Sequence, residues 1–334
     1  MPVRIRGMLG WGLAAALILG ACAPAATTSP SAAPAASKTP RVGSFDRPIV
    51  FAFTPSQDIQ RITASGNAIA SALSSATGLK WKVTVPTSYA AQIESMCAGQ
   101  TDIATIAPLQ MTLMLDKGCG TPILSALRTD PSTKQLSTTY KSQILVKSDS
   151  GIKSLADLKG KKFAFVDPIS ASGYLFPTLL VKQKTGSEPK AFFSQTIFAG
   201  GHDKAALAVY SGQVDGAATF IDVRTNAGMP ADILQKTTVI DSAGPIPNDG
   251  VAVAKTFPKE IIDQVTTALI NYCGGDGKAQ CKSLFNWEGL QKVDATFYDP
   301  VRDAAKLAGV DVAAEAAKTP PPPPSPTPSP SKSP

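Results

Sequence analysis

Residues 161–177 read KKFAFVDPISASGYLFP. The apolar run Phe163–Val166 is typical of a buried strand, and the stretch Tyr174–Lys184 is typical of a helix. The turn between them contains two serines and a glycine. Residues 161–177 therefore predict a strand, a turn and the start of a helix, which together form one unit of an α/β fold.

The same alternation of strand and helix continues on both sides of this unit. Residues 48–108 predict a strand, a helix that ends at Gly78, a second strand, a second helix and a third strand. Residues 191–222 predict a strand, a helix and a strand, and two more helices are expected near 258–273 and 299–308. This order predicts α/β layers over a largely parallel sheet, with a second α/β unit beginning near residue 145.

Composition excludes several classes of function. The chain of 334 residues is 43% hydrophobic and 17% charged, and its formal charge is +7. Its lysines and arginines are not clustered, so we expect no nucleic-acid partner. No cysteine or histidine spacing indicates a metal site. No nucleophile is paired with a base by spacing, so we predict no cofactor and no enzymatic activity.

The first 22 residues predict export. A short basic region precedes an apolar stretch, residues 9–19, that is too short to span a bilayer. Residues 19–22, LGAC, resemble the lipobox of bacterial lipoproteins, whose cysteine carries lipid. The alternative is an ordinary signal peptide with a chance cysteine. We expect residues 1–21 to be a lipoprotein signal peptide and Cys22 to anchor an extracytoplasmic chain to the membrane.

Low-complexity segments flank the folded part. Residues 22–46 are rich in Ala, Ser, Thr and Pro, which is typical of a disordered tether. Residues 319–334 form a proline-rich tail that we expect to be extended and solvated. A spacer is the simpler interpretation of the tail, and a ligand for an SH3-type domain is the alternative.

Beyond Cys22 the chain has four cysteines, and an even number in an exported chain predicts disulfides. Four cysteines allow three pairings. Their proximity along the sequence favours Cys97–Cys119 and Cys273–Cys281.

Four segments together resemble one family. In chain order they are GQTDIATIAP (99–108), IKSLADLKGKKFAFVDPISASGYLFP (152–177), GGHDKAALAVYSGQVDGAAT (200–219) and PIPNDGVAV (245–253). They are similar to the substrate-binding proteins of phosphate, phosphite and phosphonate ABC transporters. The most specific part is the DPxSxSGY turn followed by GGHD about thirty residues later.

The resemblance implies a two-lobed type II periplasmic-binding fold with two hinge crossover strands. The hinges would lie at about 142–147 and 247–253, lobe one would comprise 47–141 plus 252–310, and lobe two would comprise 148–246. Such a protein acts as a monomer, closes on a small phosphorus oxyanion and delivers it to an ABC permease. The alternatives are a ligand sensor that partners a signalling kinase, and a binder of another small ligand such as a sulfonate.

The turn after the strand has the features of an anion site. The first amides of a helix lack partners within it, and the helix dipole is positive there. Ser170 and Ser172 add hydroxyl donors, and Gly173 allows close approach of the backbone. A phosphoryl oxygen could thus be bound without any arginine, and Tyr174 completes the implied motif. The alternative is that Ser170 merely caps the helix.

Two aromatic side chains are further candidates. His202 follows Gly200-Gly201 and begins another helix, as a histidine does in the family. A neutral imidazole would donate one hydrogen bond, and a protonated one would add charge. Tyr89 begins the helix after VPTS and is placed to reach the ligand from lobe one. Each has a structural alternative as a core side chain.

The first lobe supplies two hydroxyls at the carboxyl end of its first strand, Thr54 and Ser56, where α/β sheets bind ligands. Near Pro108, where the family often has an aromatic residue, this chain has Leu109 and Gln110.

Asp222 ends the strand GAATFID. A carboxylate beside an anion is unfavourable unless the ligand carries an O–H group. We therefore expect Asp222 to accept that proton and to disfavour sulfate. The alternative is a solvated Asp222 paired with Arg224.

Overall fold

The computed structural model describes residues 40–131 and 133–318. The signal peptide 1–21, Cys22, the tether up to residue 39 and the tail 319–334 lie outside the described residues, so what was predicted for them stays a prediction. Within the described ranges, no helix is long and apolar enough to cross a membrane. The same residues contain no group of His, Cys, Asp or Glu side chains that could hold a metal ion.

The described residues form a mixed α/β structure. In chain order the strands are β1 (Ile49–Ala52), β2 (Trp81–Thr84), β3 (Ile103–Ile106), β4 (Gly120–Thr129), β5 (Leu136–Ser137), β6 (Thr139–Lys147), β7 (Lys162–Phe165), β8 (Gln195–Phe198), β9 (Gly216–Phe220), β10 (Thr237–Pro247), β11 (Gly250–Ala254) and β12 (Gly289–Lys292). In chain order the helices are α1 (Ile59–Thr77), α2 (Tyr89–Cys97), α3 (Pro108–Asp116), α4 (Phe176–Thr185), α5 (Pro189–Phe192), α6 (His202–Tyr210), α7 (Ile233–Lys236), α8 (Lys259–Gly274), α9 (Lys278–Phe285), α10 (Asp299–Ala308) and α11 (Val312–Ala317).

The strands form two sheets. The first has the order β12-β4-β11-β3-β1-β2, with β5 paired to β4, and the second has the order β10-β6-β9-β7-β8. Strand β1 is parallel to β2 and β3, and β7 is parallel to β8 and β9. Strands β4, β6, β10, β11 and β12 pair antiparallel to their neighbours. The predicted largely parallel sheet is therefore found only where helices connect successive strands, because a parallel pair needs such a crossover.

The chain crosses between the two sheets twice. It leaves the first sheet after β5 and enters the second at β6, and it returns between β10 and β11. At the return crossing, the Asn248 amide donates to the carbonyls of Ala126 and Ser137, each at 2.9 Å. Residues 142–147, where one hinge was expected, lie inside β6 of the second sheet. The crossings thus lie at 137–139 and 247–250.

Two disulfides restrain helices α2, α8 and α9. Cys97–Cys119 joins the end of α2 to the segment before β4, and Cys273–Cys281 joins α8 to α9. Both predicted pairings are confirmed.

Ordered structure extends beyond the expected limits of 47 and 310. Residues 40–46, which were assigned to the tether, form a turn in which the Gly43 carbonyl accepts from the Lys80 N–H at 2.8 Å. At the other end, α11 packs Val312 against the core. Apolar contact explains both extensions, because Val42 also packs against the core of the first sheet.

Candidate functional site

A cavity of about 30 Å³ is lined by residues attached to both sheets. The side chains on its wall are mainly polar or aromatic. The lining residues are Thr54, Ser56, Gln57, Tyr89, Thr105, Ile106, Ala107, Arg128, Tyr140, Ser170, Ser172, His202, Phe220, Asp249, Phe285 and Trp287. The structure thus brings six of the nine predicted ligand-binding residues together, namely Thr54, Ser56, Tyr89, Ser170, Ser172 and His202.

The turn after β7 presents hydroxyl donors to this cavity. A π-helical turn, Ala171–Leu175, leads directly into α4. Ser170 Oγ accepts the Gly173 N–H at 3.1 Å, so Ser170 caps the helix. Ser172 Oγ accepts from the Tyr140 hydroxyl at 3.2 Å. Each serine oxygen therefore accepts one bond from the protein and still has its own proton to donate.

His202 is a neutral hydrogen-bond donor. It begins α6, and its Nδ1 accepts from the Phe220 N–H at 3.2 Å. A neutral imidazole that accepts at Nδ1 carries its proton on Nε2. Burial, together with the positive charge of Arg128, lowers the His202 pKa to about 3. The protonated alternative is therefore not favoured at neutral pH, and Nε2–H is the group that His202 can offer.

Arg128 reaches the cavity from β4 of the first sheet. Its guanidinium lies 4.7 Å from the centroid of the Tyr140 ring and 5.7 Å from that of Phe220, both in the second sheet. It also forms an ion pair with Asp249, which is the one carboxylate among the described lining residues. The sequence indicated a site without arginine. Arg128 was missed because it is a single charge in an apolar strand and belongs to no motif.

Residues 51–298 match the family described as ABC transporter, phosphonate, periplasmic substrate-binding protein. The phosphate-import protein PhnD of Mycolicibacterium smegmatis is 31% identical over 296 residues, which cover 79% of this chain and 87% of that protein. The chain belongs to this phosphonate-binding family.

Solved structures share the fold. A binding protein component of an ABC phosphonate transporter from Pseudomonas aeruginosa has a TM-score of 0.69 at 24% identity, over 78% of this chain and 86% of that one. PhnD1 of Prochlorococcus marinus, in complex with methylphosphonate, has a TM-score of 0.68 at 17% identity, over 77% of this chain and 97% of that one. The predicted two-lobed type II periplasmic-binding fold with two crossover strands is confirmed.

Two residues of the family motif face away from the cavity in this binding protein. A methyl group added to Gly173 would overlap Val166, so Gly173 permits close packing of the turn on the sheet. Tyr174 is half-buried, with its ring 5.2 Å from Phe165, edge to face, and 5.5 Å from Phe198. It belongs to an aromatic cluster of the second sheet, and burial raises its pKa to about 12.

Asp222 also lies apart from the serines and the histidine. It follows β9 in a left-handed conformation with φ 68° and lines a larger cavity of about 480 Å³, which shares Arg128 and Tyr140 with the first. Burial raises its pKa, against the charge of Arg224. The guanidinium of Arg224 donates to the Thr237 carbonyl at 2.9 Å. The structure thus places Asp222 outside the cavity that holds the serines and His202, and it places Asp249 on the wall of that cavity. A ligand contact of Asp222 stays a prediction.

A buried polar network supports the first-lobe side of the cavity. The Thr54 hydroxyl donates to the Thr105 carbonyl at 2.7 Å, so its single proton is already used within the protein. The Gln110 amide donates to the Tyr89 carbonyl and to Gln92 Oε1 at 2.9 and 3.0 Å. Gln110, noted as a departure from the family pattern, thus positions the start of α2.

Tyr89 lies fully buried at that start. Burial raises the pKa of its hydroxyl well above the usual range, and the nearby Ser56 side chain lowers it in part. The backbone N–H of Tyr89 lies close enough to the carboxylate of Asp167, the first residue of the DPxSxSGY motif, to lower the pKa of that group. The His202 N–H donates to the Ser56 carbonyl at 2.9 Å. Segments of the two lobes are thus held together around the cavity by backbone donors.

Proposed function

We propose that this binding protein captures a small phosphorus oxyanion, namely phosphate, phosphite or a small phosphonate, and delivers it to an ABC permease. The proposal rests mainly on the donors of one cavity. Ser170, Ser172 and His202 each have a proton to donate after their bonds to the protein are counted. Convergent donors in a buried site are the arrangement that an oxyanion requires.

Cavity size and charge favour a small, protonated ion. A volume of about 30 Å³ leaves little room for a substituent on phosphorus. Asp249 is an acceptor on the wall and is held by Arg128, so it can receive an O–H from the ligand. Sulfate has no such proton at neutral pH and would meet a carboxylate instead.

Similar proteins support the same ligand class. The M. smegmatis relative is named for phosphate import, and the P. marinus neighbour holds methylphosphonate.

Calorimetry with phosphate, phosphite, methylphosphonate, aminoethylphosphonate and sulfate would test the proposal. We expect at least one phosphorus ion to bind and sulfate to bind more weakly. Ser172→Ala should weaken binding of the preferred ion about ten-fold or more, because a hydrogen bond to a charged group contributes roughly 1.5–3 kcal/mol. Binding of none of the phosphorus ions by the folded protein would contradict the proposal.

We further propose that the protein is a monomer, with lobes that follow the two sheets. Lobe one would comprise 40–137 and 250–317, and lobe two would comprise 139–247.

We also propose that Cys22 carries lipid and that residues 22–39 tether the fold outside the cytoplasm. Cys22→Ser should move the protein from the membrane fraction to the soluble fraction, and retention in the membrane would exclude the anchor.

A further inference from the structure

A late segment of the chain completes the cavity wall. Helix α9 ends at Phe285, Asn286 turns the chain in a left-handed conformation with φ 59°, and Trp287 follows. Trp287 lines the cavity and is only 3% exposed. It lies more than eighty positions beyond His202 and outside every segment that suggested a ligand site.

The indole N–H of Trp287 has no hydrogen-bond partner among the described residues. Leaving a buried donor unpaired is unfavourable, so most buried N–H groups have a partner. Arg128 Nε, on the same wall, is buried and unpaired as well. Two unpaired donors thus border one small cavity that already presents serine and histidine donors.

Contacts of Trp287 and of its neighbour in the sequence hold its ring in place. The backbone N–H of Trp287 donates to the Cys281 carbonyl at 3.3 Å, and its ring centroid lies 5.4 Å from that of Phe285. The next residue, Glu288, donates its N–H to the Leu127 carbonyl at 2.8 Å, beside Arg128. The ring is therefore held in place by α9 and β4 before any ligand arrives, which lowers the entropic cost of binding.

We propose that Trp287 is a ligand-binding residue whose indole N–H donates to an oxygen of the bound ion, with Arg128 Nε as a second donor. This role rests on the proposed function, because it requires an oxyanion in the cavity. The Trp287 ring also forms part of the wall that limits the size of a substituent on phosphorus.

Trp81 provides a matched control. Its indole N–H is also buried and unpaired, but Trp81 lies on β2 near Phe51, with ring centroids 5.9 Å apart, and does not line the cavity. Trp287→Phe and Trp81→Phe remove the same group from the two places. In calorimetry with phosphate, phosphite and methylphosphonate, we expect Trp287→Phe to weaken binding of the tightest-binding ion ~10-fold or more. Trp81→Phe should change the affinity for the same ion less than ~2-fold.

Fluorescence provides a test with the native side chain. Trp81 and Trp287 are the tryptophans beyond Cys22, so Trp81→Phe leaves Trp287 as the emitter in the exported chain. Saturating ion should change the emission of that variant. Unchanged emission, together with wild-type affinity of a folded Trp287→Phe, would overturn the role of Trp287. If the wild type itself binds none of the three ions, the proposed function fails instead.

Discussion

Asp249 and Asp222 are carboxylates on two neighbouring cavities, and Asp249 shares its cavity with Ser170 and His202. Asp249→Asn keeps the size of the side chain but offers a donor where only an acceptor stood. We expect this change to weaken the binding of phosphite and phosphate more than the binding of sulfate. The ratio of phosphite or phosphate affinity to sulfate affinity should therefore fall. Calorimetry with the three ions measures this ratio.

Asp222→Asn is the matched control for that change, because the Asp222 side chain, like that of Asp249, is a partly buried carboxylate. We expect it to leave the ratio of phosphite to sulfate affinity unchanged. A narrowed ratio in Asp222→Asn, with an unchanged one in Asp249→Asn, would restore the ligand-reading role first predicted for Asp222.

Residues were predictable from sequence when they belonged to a local pattern. Ser170, Ser172 and His202 follow strands and begin helices, and all three line the cavity. Arg128 and Trp287 also line the cavity but belong to no local sequence pattern. Each is a single polar or aromatic residue whose place on the wall depends on antiparallel pairing of distant strands β4 and β12, which leaves no signal in local spacing.

At the scale of elements, Asp167 joins the turn after β7 to the start of α2. Its carboxylate accepts from the Ile169 N–H at 2.9 Å, and the Tyr89 N–H at the start of α2 lies close enough to lower the Asp167 pKa. Burial raises its pKa from 3.8 to about 6. The native state therefore binds this proton more tightly than the unfolded state. The stability that Asp167 contributes is fully present below about pH 4 and is lost as the pH rises through about 6.

Asp167→Asn should remove this dependence on pH. The free energy of unfolding of the wild type, measured in urea between pH 4 and pH 7, should fall with rising pH relative to the variant. Other acids titrate in both proteins and cancel in the difference. A difference between wild type and variant that stays constant over this range would show that the Asp167 pKa is not raised.

The two disulfides should differ in their effects on stability and on ligand binding. Closing loops with separations of 22 and 8 residues contributes about 3.4 and about 2.5 kcal/mol in the chain-entropy model. Cys97→Ser/Cys119→Ser should thus lower the free energy of unfolding by about 1 kcal/mol more than Cys273→Ser/Cys281→Ser. The double variant Cys273→Ser/Cys281→Ser should lower phosphite or phosphate affinity more than Cys97→Ser/Cys119→Ser does, because α9 positions Trp287. Urea unfolding and calorimetry on both variants decide this, and the reverse order of affinities would exclude a positioning role for α9.

Helix α1, which has a clear helical period, was predicted well, and two elements without a regular period, α3 and β4, were missed. Helix α1 was expected to end at Gly78, and it is found at Ile59–Thr77 with Gly78 as its cap at φ 72°. Helix α3 was missed because its residues from Pro108 to Met114 are all buried, so it has no polar face to create a helical period. Strand β4 was missed as well, since its buried and exposed positions do not alternate regularly.

At the scale of the whole molecule, contacts between the lobes surround the cavity. Asn226, after β9, donates from Nδ2 to Gln57 Oε1 at 2.7 Å, and its Oδ1 accepts from Asn286 Nδ2 at 3.1 Å. Arg61 on α1 donates to the Ala227 carbonyl at 2.9 Å. Gln57, Arg61 and Asn286 are attached to the first sheet. These bonds form only if the lobes approach each other, so they bias the balance between open and closed states.

Asn226→Ala should weaken binding although Asn226 does not line the cavity. It removes two hydrogen bonds, each of roughly 0.5–1.5 kcal/mol, from the closed state alone. Because apparent affinity scales with the fraction of competent protein, we expect about a ten-fold loss for phosphite or phosphate. Asn271→Ala, at an exposed position on α8, is the control and should bind as the wild type does. Small-angle scattering should show that saturating ligand reduces the radius of gyration of both variants. Without ligand, Asn226→Ala should have a larger radius of gyration than Asn271→Ala. Equal radii and equal affinities would mean that the Asn226 bonds follow closure without stabilising it.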